Sequence, residues 1–337
     1  MRWLRIIAAP IALIYALVVY LRNFLFDVGF FKSTISNTPT ICVGNLSLGG
    51  TGKTPMIDFL VSNLKQKKKI AVLSRGYRRK SKGFQLATEK STVEVLGDEP
   101  FQLYRKHPDV TLAVDADRVN GIQKLEELGD FDLILLDDAF QHRKVKPTLS
   151  ILLTTFDKPY TNDFYLPTGS LRDAKNQSKR ADLIIVTKCP SSLSKKDCKA
   201  FSNKIKPLEH QNVLFASLRY AENFINDEQT LTFEELANKK LALVTGIAKP
   251  EPLVAQLKSK ELQFEHLKFK DHYFFSAKDI EHFSQFEVVL TTEKDFARLG
   301  NKLNNLYYLP IAHHFLNGGE EELLKKIEDL TKPDWQS

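Results

Sequence analysis

The sequence predicts an α/β protein: a doubly wound, mostly parallel sheet, a second and smaller α/β domain behind it, and an apolar helix in front. Three features carry that prediction. Short β-branched apolar runs alternate with helical stretches, a glycine-rich loop joins the first run to a helix, and an uncharged run occupies the N-terminus. The 337 residues suffice for two domains, at about 100–200 residues each. Apolar residues make up 43% and charged residues 26%, a core-forming composition that excludes disordered, collagenous and low-complexity classes. Three cysteines (Cys42, Cys189, Cys198) cannot staple a chain of this length and point to a reducing compartment. A net charge of +7 calls for an anionic partner: a nucleotide, a phosphorylated substrate, nucleic acid or a membrane surface.

The first element is the uncharged run 6–21, sixteen residues flanked by Arg2 and Arg5 on one side and Arg22 and Lys32 on the other. It is slightly short for a span, which takes about 20 apolar residues, and Pro10 interrupts it. A cleaved signal peptide would need small residues after the run, whereas Tyr20-Leu21-Arg22-Asn23-Phe24 is bulky. Residues 1–32 therefore read as a retained anchor helix, spanning the membrane or lying in its interface.

Strands follow at 40–43, 70–73, 111–114, 133–136, 149–153, 183–186 and 213–218. They lack polar alternation, as parallel strands buried on both faces do. Between them, 54–65, 98–106 and 116–128 have helical length and pattern, so 33–220 reads as one doubly wound domain. The polar stretch 221–240 reads as a link. Strands at 241–244, 263–269, 288–290 and 306–309 then make 221–337 a smaller α/β domain.

The segment Val43-Gly44-Asn45-Leu46-Ser47-Leu48-Gly49-Gly50-Thr51-Gly52-Lys53-Thr54 runs from strand through loop into helix. Glycines let backbone N–H groups turn inward around phosphate oxygens, Lys53 reaches the β/γ-phosphates and the Thr54 hydroxyl ligates Mg²⁺. Ser47 stands where the strict pattern has its first glycine. Residues 47–54 thus read as a P-loop-type nucleotide site. Its acidic counterpart is Phe131-Asp132-Leu133-Ile134-Leu135-Leu136-Asp137-Asp138, a buried strand ending in paired carboxylates. Adjacent carboxylates repel, and a divalent cation is the usual neutraliser. Asp98 stands at a loop-to-helix junction, where a bland helix-cap role competes with proton acceptance. Glu99 joins Asp137 and Asp138 as a Mg²⁺ ligand candidate, and Arg118 and Arg172 are candidates for gripping phosphate.

The ordered motifs carry a family resemblance. Val43-Gly44-Asn45, Gly50-Thr51-Gly52-Lys53-Thr54-Pro55, Ser74-Arg75-Gly76-Tyr77, Gly97-Asp98-Glu99-Pro100, Asp137-Asp138-Ala139-Phe140-Gln141-His142-Arg143, Gly169-Ser170-Leu171-Arg172 and Thr291-Thr292-Glu293-Lys294-Asp295 occur in this order behind the apolar run. Together they resemble the tetraacyldisaccharide 4′-kinases of lipid A biosynthesis. The chain departs at Ala139, where the family commonly has Gly, and at Asp173-Ala174, where it commonly has Glu-Pro. The resemblance implies an ATP- and Mg²⁺-dependent kinase on the cytoplasmic face of the bacterial inner membrane. Its acceptor is the 4′-hydroxyl of an acylated glucosamine disaccharide 1-phosphate, and its product is lipid IVA. The resemblance also maps the catalytic acid onto Asp98 and its partner onto His272, adds Asp138 to the catalytic set, and assigns Arg75, Arg118, Gln141, His142 and Arg172 to the acceptor.

Nine basic residues between Asp58 and Glu89, with no acidic one, suit anionic lipid. Tyr77 is the lone aromatic side chain interleaved with them, so the run does not read as a nucleic-acid site. No obligate protein partner is implied. The competing function class is a membrane-tethered nucleotide switch, which would hydrolyse ATP without a lipid acceptor. Thr187-Lys188-Cys189-Pro190 and His313-His314 carry no assigned chemistry, since neither shows base-reading or metal-ligand spacing.

Overall fold

The computed structural model describes residues 2–330; Met1 and residues 331–337, which the outer domain assignments include, lie outside the described residues. Helix α1 (Arg2–Asp27) comes first. The strands in chain order are β1 (Thr40–Asn45), β2 (Ile70–Ser74), β3 (Gln85–Leu86), β4 (Thr111–Val114), β5 (Leu133–Asp137), β6 (Leu149–Thr155), β7 (Leu183–Thr187) and β8 (Asn212–Tyr220). They continue with β9 (Asn223–Ile225), β10 (Thr230–Thr232), β11 (Leu241–Thr245), β12 (Glu265–Lys268), β13 (Val288–Thr291), β14 (Leu306–Tyr308) and β15 (Ile311–Phe315). The larger sheet has the order β15-β8-β7-β6-β1-β5-β2-β4-β3, parallel except at its two edges. The smaller sheet has the order β10-β9-β14-β13-β11-β12.

Strand alternation sorts the core of the larger sheet into two layers. Ile41, Val43, Leu133, Leu135, Ile151 and Leu153 face the layer that holds Met56, Ile57 and Leu60 of α2 (Lys53–Leu64). Cys42, Ile134, Leu136 and Leu152 face the opposite layer, with Ile122 and Leu125 of helix Arg118–Leu128 and Phe201 of helix Lys195–Ile205. This two-sided burial is why the strands read as unbroken apolar runs. Truncating one such side chain, Leu60→Ala for example, would cost about 2–5 kcal/mol in lost transfer energy and residual cavity.

Two expectations change. The polar stretch 221–240 is not a simple link, since it supplies β9, β10 and the short helix Phe233–Leu236 to the smaller sheet. The end of the chain, assigned from sequence to the second domain, returns to the first. Strand β15 pairs antiparallel with β8, and Leu323 and Ile327 of helix Gly319–Leu330 enter the first core beside Phe315. An edge strand offers unpaired N–H and C=O groups, and β15 satisfies those of β8. The chain therefore crosses between the sheets twice, at 220–223 and at 308–311.

Helix α1 has two apolar faces with different fates. Ala12, Val19 and Asn23 are buried against the first domain, while Ile14, Leu17, Val18, Leu21 and Phe24 are about half to two-thirds exposed at helical spacing. Polar contacts dock the inner face. Tyr15 Oη donates to Arg172 O (3.0 Å), Arg22 Nη2 to Gln141 O (2.6 Å) and Asn23 Nδ2 to the buried Asp173 Oδ1 (2.7 Å).

Candidate active site

Strand β1 lies at the centre of the sheet between β5 and β6, so the loops leaving β1 and β5 meet at their carboxyl ends, where open α/β sheets bind ligands. Val43 pairs in register with Asp137. Gly44 is required by close approach: a Cβ there would fall 2.5 Å from Phe140 Cβ. Gly52 adopts φ 88° as the N-cap of α2, a left-handed turn that favours glycine.

The carbonyls of the loop are held from beneath. Thr187 Oγ1 donates to Thr51 O (2.7 Å), and the buried His313 donates from Nε2 to Gly52 O (2.9 Å). Asn45 Nδ2 bonds Thr51 Oγ1 at 2.8 Å. With its carbonyls engaged, the loop presents N–H groups and the start of α2, the arrangement that suits an anion. Burial pushes the imidazolium of His313 down to about 4, so the ring is neutral at pH 7.

The two aspartates after β5 are held differently. Asp137 Oδ2 accepts from Ser74 Oγ (2.8 Å), while Oδ1 is buried without a hydrogen-bond partner among the described residues. Burial, then Glu99, then Asp138 push its carboxyl up to about 6, against the opposing pull of Lys53 and Ser74. Asp138 accepts a two-armed contact from the Arg172 guanidinium, and Lys53 Nζ lies 3.6 Å from its Oδ1. Burial raises the Asp138 carboxyl, but the Arg172 bonds and Lys53 outweigh it and hold the group down at about 2.

From the second lobe, His272 reaches Asp98 at the start of helix Asp98–Lys106: His272 Nδ1 is 2.5 Å from Asp98 Oδ2. Arg298 Nη2 donates to the same oxygen (2.7 Å), while its Nη1 donates to Gly246 O and Asp295 Oδ1 (both 2.8 Å). Burial raises the Asp98 carboxyl, and Arg298, His272 and Lys294 together more than reverse this. His272 has φ 62°, a left-handed conformation that costs a non-glycine residue energy and is held here by its neighbours.

Two cavities share a wall at this point. One, of about 520 Å³, is lined by the glycine-rich loop, Thr54, Lys188 and residues of the second lobe. The other, of about 450 Å³, is lined by Tyr15 of α1, Arg75, Asp98, Asp137, Asp138 and Arg172. Gly49, Lys53, Tyr77, Glu99 and His272 line both. Most residues singled out from sequence therefore stand around one place. The glycine-rich loop, the aspartate pair, Asp98, Glu99 and Arg172 are signals from different stretches of chain that converge here.

The chain matches the family model described as tetraacyldisaccharide-1-P 4′-kinase (LpxK) over residues 4–331. It belongs to that family. The tetraacyldisaccharide 4′-kinase of Flavobacterium johnsoniae is 46% identical, over 99% of this chain and 100% of the relative. That of Bacteroides thetaiotaomicron is 43% identical, over 94% and 91%. The crystal structure of an "apo" form of LpxK from Aquifex aeolicus in complex with ATP is 29% identical, with a TM-score of 0.80, and covers 97% of this chain and 99% of that one.

Three residues that the resemblance assigns to the acceptor lie outside the lining of the two cavities that meet at Lys53. Arg118, assigned to the acceptor, is 1% exposed and spends its guanidinium on Asp115 O (2.6 Å) and Asp137 O (3.0 Å), behind the aspartate turn. Gln141 donates from Nε2 to Asn45 O (2.7 Å) and braces the end of β1. His142 lines a separate pocket at the far end of α1, and burial lowers it to about 4. Sequence reading missed Arg298, which lies three residues past the Thr291–Asp295 motif and carries no motif of its own. It also missed the ion cluster of Lys106 with Asp58 (2.8 Å) and Glu293 (3.0 Å), which ties α2 and helix Asp98–Lys106 to the second lobe. Asp173, noted in sequence only as a departure, anchors α1 through Asn23.

The residues present suit a bound Mg²⁺. Among the described residues no group of three or more His, Cys, Asp or Glu donors is assembled for a metal. Mg²⁺ needs none, since it is bound through one or two carboxylates together with substrate phosphates and water. The unpartnered buried oxygen of Asp137 beside Glu99 and Asp138 is a place for such a cation.

Proposed function

We propose that this chain transfers the γ-phosphate of ATP to the 4′-hydroxyl of a tetraacylated glucosamine disaccharide 1-phosphate, forming lipid IVA. The observation that carries this reading is the pair of cavities meeting at Lys53, Glu99 and His272. One runs along the glycine-rich loop and suits the nucleotide, and the other opens beside α1 and suits a lipid-borne acceptor. A switch that only hydrolyses ATP has no use for the second.

Phosphoryl transfer needs in-line placement, charge neutralisation and an outlet for the acceptor proton. Residues 47–54 cradle the phosphates, and Lys53 neutralises β/γ-phosphate charge. Thr54, Glu99, Asp137 and Asp138 would hold Mg²⁺, which offsets negative charge on the transferring group when bound. Asp98 takes the hydroxyl proton. Its contacts with His272 and Arg298 fall on Oδ2 and leave Oδ1 for the acceptor. Arg172 and Arg75 line the acceptor cavity and contact the sugar. Because Asp98 and His272 come from different lobes, residues 33–220 and the lobe that follows act as two units whose seam is the reaction site.

Helix α1 associates with the bacterial inner membrane at its cytoplasmic face. Its polar contacts from Tyr15 to Asn23 tie one face to the kinase domain, and its other face is exposed and apolar. That combination suits a helix lying in the interface. Transfer of ³²P from γ-labelled ATP in detergent micelles, with and without the lipid acceptor, tests the reading. Label in the lipid, dependent on Mg²⁺, supports it; label only in free phosphate, unchanged by lipid, refutes it.

A further inference from the structure

We propose that the loop after β6 is a second contact with an anionic lipid surface, inserting beside α1 and fixing how the kinase domain faces the bilayer. The inference rests on the membrane association of α1 given above. The loop carries Phe164-Tyr165-Leu166-Pro167, four apolar residues in a row on the outside of the protein. Phe164 is 65% exposed, Pro167 is exposed, and Tyr165 and Leu166 are partly covered. Single exposed apolar side chains are common, but a continuous exposed run marks a surface that meets an apolar partner.

The backbone that presents Phe164 is fixed from several sides. The buried Asp163 carboxylate accepts from Phe164 N–H (2.9 Å), from Ser170 N–H (3.1 Å) and from the Ser170 hydroxyl. Leu171 N–H donates to Phe164 O (2.9 Å), and Leu166 N–H donates to Leu171 O (3.1 Å). Gly169 lets the loop close, since a Cβ there would fall 2.2 Å from Phe164 O. A tip held this firmly, with its ring outside, loses little conformational freedom when it inserts.

The loop and the stretch after it lie along α1. The Tyr165 ring meets Tyr15 edge-on with centroids 6.5 Å apart, Asp173 meets Asn23, and Lys179 Nζ lies 3.8 Å from Asp27. These contacts follow the helix from its middle to its end, so the run 164–167 adjoins the exposed apolar face of Ile14, Leu17, Val18 and Leu21. Lys158, Lys175 and Lys179 are exposed on the same flank, against Asp157 as the exposed acid between 156 and 180. Lys175 Nζ sits 5.9 Å from the Phe164 ring centroid. An apolar tip with lysines around it suits the boundary between acyl chains and anionic headgroups. A helix lying in the interface leaves the attached domain free to turn about the helix axis, and a contact to one side of that axis removes the freedom. Tyr15 and Leu166 line the same cavity of about 450 Å³, which is thereby held against the bilayer.

Flotation of the full chain with vesicles of phosphatidylglycerol and phosphatidylethanolamine, without acceptor, tests the contact. Phe164→Ser should weaken binding about tenfold, near the lower end of what burying a phenylalanine contributes, and Phe164→Leu should keep most of the affinity. Lys175→Ser should lower binding about fivefold on these vesicles and leave binding to neutral phosphatidylcholine vesicles unchanged. Turnover of the lipid acceptor in detergent micelles, which impose no orientation, should stay at the wild-type level in all three variants. Wild-type vesicle binding by Phe164→Ser overturns the second contact and leaves the α1 reading standing. Lowered micellar turnover with unchanged vesicle binding assigns the run to the acceptor and also overturns the contact. Failure of the wild type to float overturns the membrane reading and the second contact with it.

Discussion

Arg298→Ala separates positioning of the proposed base from the folding of the second lobe. The guanidinium, 5% exposed, binds three acceptors at once: Asp98 Oδ2, Asp295 Oδ1 and Gly246 O. Its loss leaves Asp295, which is fully buried, with Thr292 and a backbone N–H but no positive partner. Breaking a buried pair in this way costs about 3–5 kcal/mol, or about 12–40 °C in melting temperature for a lobe of this size if it melts as its own unit. Asp98 keeps its contact with His272 but loses the group that ties it to the second lobe, and misplacement on the 1 Å scale lowers kcat by about 10²-fold. Asp98 is held below its ordinary value, so its share of stability is present above the unfolded-state pKa and disappears as pH falls through the folded one. The difference in melting temperature between variant and wild type should therefore narrow toward acid pH. Arg298→Lys keeps the charge without the planar fork and should fall between the two. Steady-state kinetics on both substrates and melting curves from pH 3 to 8 measure this. A variant that melts early but keeps kcat within twofold of wild type would show that Arg298 serves only the lobe, and the reasoning would fail.

Three further outcomes follow from particular contacts. His313→Leu removes the donor beneath Gly52 O and should raise the KM for ATP about fivefold, at about 1 kcal/mol for a neutral hydrogen bond, with the acceptor KM unchanged; His313→Gln should recover part of it, and equal shifts in both KM values would refute a role in the phosphate loop. Asp137 has its pKa raised to about 6, so without Mg²⁺-ATP the melting temperature should fall as pH rises from about 4 to about 6 and then level. Adding Mg²⁺-ATP should remove that fall, and a flat apo profile by scanning fluorimetry would contradict it. Leu17→Glu/Leu21→Glu places charge on the exposed face of α1 and should cut liposome binding in a flotation assay at least tenfold, with the melting temperature within about 1 °C. Deleting α1 outright is a poorer test, since it strips the Asn23 partner from the buried Asp173.

The interior strands of the larger sheet were legible because each is buried on both faces, leaving a continuous apolar run such as Leu133–Asp137 bounded by turn residues. Strand β15 was not legible, because Ile-Ala-His-His-Phe breaks its apolar run with two imidazoles, and only pairing with β8 buries His313 while leaving His314 outside. The polar stretch 221–240 reads as a link because its strands sit at the edge of the smaller sheet and are only partly covered. In the site, Lys53, Asp98 and the aspartate pair stand in local motifs whose spacing is itself the chemistry. Arg298 and the Lys106 cluster have no such spacing, since their partners lie far away in sequence.

By itself the sequence determined the class of fold, the glycine-rich loop between strand and helix, the acidic strand end and the apolar first helix. These depend on residues that are neighbours along the chain, where periodicity and loop chemistry act directly. Only the tertiary structure decided that Arg118 is buried behind the site rather than lining it, that the chain's last strand and helix belong to the first domain, and that α1 docks through Tyr15, Arg22 and Asn23. Each of those outcomes depends on which distant carbonyl, carboxylate or strand edge is left unsatisfied when the sheet assembles. No local pattern records such a need, because the partner that meets it comes from another part of the chain.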